Sequence, residues 1–271
     1  AVPKFVPGPD GRPGARNDLR ALSLEHKLGI HASPTAVMAF GENGGAEGYL
    51  VGEEHRGIEH MFIMMNNARL AIGLQGVASA ERAYQRLSRA LDHQIKSKVP
   101  LVLYASHTDF EQTNITPELI GIGTGGVTEL LRRRVFLPFT GSYGELDHVL
   151  THELVHAFEI DILFGDSQSV LSNPFGSTPP LWFMEGAAEY LSIAEIDNNT
   201  KMWLRDASLE GYLTPLRVLE YVGDIRVYRF GQSILEFIAD TYGVQKIGEV
   251  LKKTRRFGNL ERALEASTGL T

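Results

Sequence analysis

Residues 151 to 159 read THELVHAFE. His152 and His156 are four apart, so on an α-helix they share one face and can turn imidazole nitrogens toward one ion. Glu153 stands beside the first histidine, within reach of an ion-bound water without being a ligand. A catalytic zinc site takes neutral nitrogen or carboxylate donors and keeps a position for water. Taken alone, the motif also fits an amphipathic helix whose histidines merely share a face. A third donor follows in WFMEGAAEY, where Glu185 comes with 28 residues between it and His156, and Glu189 one turn later. Glu185 can complete a His-His-Glu set, and Glu189 can accept a hydrogen bond from a ligand histidine and fix its tautomer. Two acids one turn apart repel mildly on an ordinary helix, a cost that a nearby cation explains. His148, one turn before His152, is read as an outer or exposed residue, because a fourth protein ligand would close the site.

The elements that must position these residues are legible in outline. SYGELDHVLTHELVHAFEIDILF reads as a helix, with Ser142 as N-cap and Glu145 completing a capping box. A loop rich in Ser, Asn, Pro and Gly spans 166–180, and a proline then starts the helix PLWFMEGAAEYLSIAEI. VPLVLYAS and RRVFLPF read as strands, and Pro138 marks the second as an edge or a strand end. Upstream of these, apolar residues recur at helical spacing from about Gly57 to Ile95, interrupted only by Gly73 and Gly76. Residues 1 to about 53 are rich in Gly and Pro, with TAVMAFG and EGYLVG as short strands. Further helices are expected near 201–208, 229–241 and 244–253. The fold class is α+β, with a β-rich part at 1–75 and a second part at 76–271.

Composition narrows the function classes. A chain of 271 residues can bury a sizeable core, and its net charge of −7 argues against a nucleic-acid partner. Arg132-Arg133-Arg134 is too short to reverse that and is read as a solvated face. The absence of cysteine excludes disulfides, thiolate ligands and a cysteine nucleophile, and leaves the redox compartment open. No apolar run approaches the ~20 residues of a membrane span. The opening AVPKFVPGPDGRPG has no signal-peptide core and no initiator methionine, and reads as a truncation, so localisation stays unassigned.

HELVH followed by WFMEGAAEY resembles the gluzincin metallopeptidases. From AERAYQR onward, about residues 81–271, the chain is similar to bacterial peptidase-MA-like modules, which often precede a TolB-like β-propeller in exported proteins. The resemblance implies a thermolysin-like fold and Zn2+ held by His152, His156 and Glu185. It implies Glu153 as general base, with a peptide or protein as substrate. YRFGQSIL matches a downstream pattern of the aminopeptidase branch, which gives Tyr228 the role of steadying an oxyanion. The strand RRVFLPF could pair with an extended substrate. A propeller partner would lie outside this chain. A module that keeps the scaffold without catalysis is the alternative.

The first part resembles another family. SLEHKLGIHASPTAVMAFG, GYLVGEEHRG and MFIMMNNARLAIGLQGVASAERAYQ, within residues 1–86, look like the middle β-domain and first C-terminal helix of acyl-CoA dehydrogenases. That resemblance implies a substrate-side position for Arg69. The stretch is only a slice of such an enzyme, so a flavin site is not expected from it, and an FAD-linked dehydrogenase stands as a second alternative. AERAYQR fits both families and reads as the seam of a fusion.

Overall fold

A computed structural model describes residues 1–27, 32–104, 106–114, 119–165, 178–193 and 195–270. Most of the loop expected at 166–180 lies outside the described residues. The chain divides into two units, Ala1–Leu74 and Gln75–Thr271.

The first unit is built from two hairpins and the start of a long helix. β1 (Phe5–Pro7) pairs antiparallel with β2 (Pro13–Arg16), and β3 (Leu19–Leu24) pairs antiparallel with β4 (Ala36–Phe40). The expected strand at EGYLVG is irregular instead. Asn17 is a buried anchor. Its amide donates to the carbonyls of Pro3 and Glu47 and its side-chain oxygen accepts from the Glu47 N–H, tying three segments together. Apolar side chains on both hairpins stay exposed, including Phe5, Leu22, Leu24, Val37 and Phe40. Two-stranded ribbons have too little area to enclose a core of their own.

Helix α1 (Gly57–Ala90) runs on into the second unit. Its early leucines, Leu70 and Leu74, are exposed, whereas Ala83, Leu87 and the following Leu91 are buried. After it come β5 (Leu101–Tyr104), the short α2 (His107–Glu111), β6 (Val127–Thr128) and β7 (Val135–Pro138). The sheet order is β5-β7-β6, with β7 parallel to β5 and antiparallel to β6. RRVFLPF is therefore the central strand, every residue of β7 being buried, and not the edge that Pro138 suggested. Pro138 sits at the strand end, where its missing N–H costs the ladder nothing. The edges are β5 and the partly buried β6.

Six helices follow the sheet among the described residues: α3 (Tyr143–Phe164), α4 (Leu181–Ile193), α5 (Asn198–Leu209), α6 (Leu216–Leu219), α7 (Ile225–Tyr242) and α8 (Gln245–Phe257). The chain then closes with α9 (Leu260–Thr268), a helix the periodicity did not reveal. Ser142 caps α3 by accepting from the Glu145 N–H, but the Glu145 carboxylate turns to Thr140, so half of the expected capping box forms. Asp197, Asp224 and Asn259 cap α5, α7 and α9 in the same way. The core is continuous through α3, α4, α7 and α8, with Phe158, Trp182, Phe183, Leu235 and Leu251 almost wholly buried.

Two glycines set the closest helix approach. A Cβ on Gly186 of α4 would meet the Gly231 backbone at 2.4 Å, and one on Gly231 of α7 would lie 2.2 Å from the Trp182 carbonyl. Backbone meets backbone there, which only glycine allows. Among the described residues no helix is long and apolar enough to cross a membrane.

Candidate functional site

The site lies in a cleft of about 870 Å³ in the second unit, walled by α3, α4, the start of α7 and the β6 edge. Helix α3 carries His148, His152, Glu153 and His156 toward it over three turns, while Leu150, Leu154, Val155 and Phe158 are buried in the core. Helix α4 brings Glu185 and Glu189 from across the cleft. Placed by the Gly186–Gly231 contact, α7 brings Tyr228 and Arg229.

His152 Nε2, His156 Nε2 and Glu185 Oε2 converge. The two nitrogens are 3.2 Å apart, and the carboxylate oxygen lies 3.2 Å from one and 3.4 Å from the other. Each imidazole is held from behind by a second carboxylate. His152 Nδ1 lies 3.4 Å from Glu189 Oε1, and His156 Nδ1 lies 2.8 Å from Glu159 Oε2. Glu189 also faces Arg229, 3.5 Å away, and His148, 3.7 Å away.

Burial and charge oppose one another here. Burial alone disfavours each charged form, yet the carboxylates around His152 push its pKa up to about 9, and those around His156 raise that group as well. Glu185 is buried too, but its two histidine neighbours bring it down to about 2. Glu159 is fully buried, and that desolvation lifts it to about 7 against the pull of His156. His148 goes down, chiefly through burial.

Glu153 sits at the mouth of this cluster. The Thr128 hydroxyl lies 2.6 Å from its Oε2 and 2.9 Å from its backbone carbonyl. Gly126 lets the β6 side press against it, since a Cβ there would come within 2.7 Å of the Glu153 Cγ. Tyr228 stacks on His152, ring centroids 6.3 Å apart and planes at 22°. Burial first, then the surrounding glutamates, push its phenol up to about 12, so it stays a proton donor.

The structure thus brings together the residues singled out in the second part: His152, His156, Glu185, Glu189, Glu153 and Tyr228. It adds Glu159 and Thr128. Glu159 stands three residues past His156, a helical neighbour, so spacing alone could have found it. Thr128 comes from a two-residue strand and gives no sequence signal. Arg69, singled out in the first part, lies on α1, but its side chain is outside the described residues.

The relatives point elsewhere. The chain is 51% identical over 110 residues to the 3-methylmercaptopropionyl-CoA dehydrogenase of Ruegeria pomeroyi, a match covering 37% of this chain and 18% of the relative. It is 37% identical over 102 residues to a butyryl-CoA dehydrogenase of Syntrophomonas wolfei, covering 36% and 17%. To the broad-specificity linear acyl-CoA dehydrogenase FadE5 of Mycobacterium tuberculosis it is 34% identical over 133 residues, covering 45% and 22%. The chain therefore spans less than a quarter of the length of these relatives. No protein-family profile matches it, and no solved structure matches it.

These findings correct the expectation drawn from HELVH and WFMEGAAEY. The relatives are acyl-CoA dehydrogenases, oxidoreductases by name, and none is a gluzincin or any other peptidase. The assignments of a zinc hydrolase and of Zn2+ as the cofactor fall with it, and the acyl-CoA dehydrogenase resemblance of the first part is the one supported. The motif misled for a physical reason. Histidines and glutamates facing each other across two packed helices satisfy one another by hydrogen bonds and charge, so their pattern does not by itself specify a reaction.

Proposed function

We propose that this chain takes part in flavin-linked dehydrogenation of acyl-CoA thioesters, its dehydrogenase-like part serving as one wall of such an enzyme. The observation that carries this is the 51% identity over 110 residues to the Ruegeria dehydrogenase. Bound FAD would take up the two electrons of the oxidation. The residues of the first unit fit a wall and not an enclosure. Leu22, Leu24, Val37 and Phe40 are exposed on the β3–β4 hairpin, and no residue of that unit lines the cleft described above. Apolar surface of this kind suits an acyl chain or a ring system once a second surface closes over it. The test is FAD fluorescence anisotropy on the full chain, with and without a straight-chain acyl-CoA. A saturable rise in anisotropy that acyl-CoA alters is the expected result. Anisotropy unchanged at high protein concentration overturns the reading.

A second reading concerns the second unit and is favoured by the three converging donors, whose atoms all lie within 4.8 Å of one another. It is that His152, His156 and Glu185 hold a divalent transition-metal ion. With both Nδ1 atoms turned to carboxylates, two Nε2 lone pairs and an anionic oxygen face one small space, which calls for positive charge between them. A tetrahedral ion with bonds of ~2.0–2.1 Å has donor–donor edges of roughly 3.3–3.4 Å, close to the separations found. Such an ion supplies Lewis acidity. Cobalt(II) titration followed by visible absorption tests this. One equivalent taken up, lost in Glu185→Gln and weakened ~10 to 100-fold in Glu189→Ala, is expected. No uptake by the unaltered chain contradicts it.

A further inference from the structure

We propose that a second cleft, formed where the chain leaves α1 and the α3 C-terminus meets α8, binds a small oxyanion group, a phosphate or a carboxylate, on the free edge of Arg133. This cleft has a volume of about 410 Å³ and is lined by His93, Lys96, Arg133, Asp161 and Arg255 among others. None of these residues belongs to the histidine–glutamate cluster.

The arginine triplet was read from sequence as a solvated face, and its middle member corrects that reading. Arg133 is only 11% exposed, and its Nη1 pairs with Asp161. Its Nε and Nη2 are buried and have no hydrogen-bond partner. Those two N–H groups lie in the guanidinium plane along one edge and point the same way, the edge that takes a carboxylate or phosphate through two parallel bonds. A buried N–H edge without a protein acceptor is unfavourable, so a ligand that accepts from it is stabilised.

Among the described residues nothing in the cleft meets that need. Both oxygens of Asp161 are committed, one to Arg133 and the other to His93 Nε2 at 2.7 Å. Arg255 donates to the Ile162 carbonyl at 3.1 Å, and its other terminal nitrogen lies over Gly165, where a Cβ would come within 3.0 Å of it. Three basic side chains, Arg133, Arg255 and Lys96, line a cleft whose described lining holds one carboxylate, in a chain whose net charge is −7. Concentrated positive charge in a concave site on an acidic protein draws small anions. The Arg133 backbone supports a specific role: its φ of +50° is in the left-handed region, where a side chain other than Gly, Asn or Asp is strained.

Isothermal titration of the full chain with inorganic phosphate and with acetate, at constant ionic strength set with chloride, tests the proposal. Saturable binding of at least one anion is expected. Tighter phosphate identifies a phosphate-bearing ligand and tighter acetate a carboxylate-bearing one, and either supports the site. Arg133→Lys, which keeps the charge and removes the two-pronged edge, should weaken binding by ~10-fold or more. Lys96 is exposed, so Lys96→Gln cannot unfold the chain, and it should weaken binding a few-fold. Absence of saturable binding to the unaltered chain overturns the proposal, as do Arg133→Lys and Lys96→Gln variants that both bind like it.

Discussion

Leu70 and Leu87 lie on the same helix, yet Leu70 is 74% exposed and Leu87 is 0% exposed. The residue type and the local conformation are the same, so the difference is the surroundings. Leu87 is covered by the helices of the second unit, whereas the first unit supplies two thin hairpins and leaves its apolar residues uncovered. Periodicity along a helix reports which face could be buried. Whether it is buried depends on what the rest of the chain brings to it. The second unit brings a continuous core and a polar cluster inside it. The first brings sequence similarity to a much longer class of enzyme and a surface that one wall of such an enzyme would have.

Truncating the two leucines breaks or sharpens that contrast most strongly. Leu87→Ala should destabilise the second unit by ~2–5 kcal/mol, the range for a buried leucine, read as a lower urea midpoint. Leu70→Ala should change stability by no more than ~0.5 kcal/mol. Equal effects would mean that the helix is packed alike along its length. Next comes the glycine contact. Gly231→Ala places a methyl group against the Trp182 carbonyl and should cost ~1–3 kcal/mol while separating α7 from α4. The same variant should weaken cobalt(II) uptake, because α4 carries Glu185. Unchanged stability would show that the helices do not approach as closely as described. The smallest destabilisation expected in the second unit is at the start of α3. Ser142→Ala removes the oxygen that accepts from the Glu145 N–H and should cost ~1 kcal/mol in thermal unfolding. The first unit, having no part in that helix, should respond to none of the last two changes.

How much of this was legible depended on whether the signal was local. The histidine–glutamate set could be read because its members repeat at one-turn spacing on two helices, and α3 and α4 were placed by Ser142 and Pro180. Glu159 escaped because an acid on a helix reads as surface until its burial is known. Arg133 escaped for the same reason, its burial and its Asp161 partner being set by a turn between β6 and β7. The central place of β7 was hidden because Pro138 says only where a ladder hydrogen bond is missing, at the end or at the edge. The reaction was not legible in the cluster at all. Its chemistry pointed to a hydrolase, and the similarity that bears on function lies with acyl-CoA dehydrogenases.

The account rests most heavily on the dehydrogenase reading, and one measurement meets it directly. The full chain is equilibrated with FAD under anaerobic conditions, titrated with butyryl-CoA, and followed through the visible absorption of the flavin. For a chain that serves as one wall of such an enzyme, the account predicts that the flavin band shifts saturably as protein is added and that the thioester alters that shift. A band whose position and intensity respond to neither protein nor thioester contradicts it.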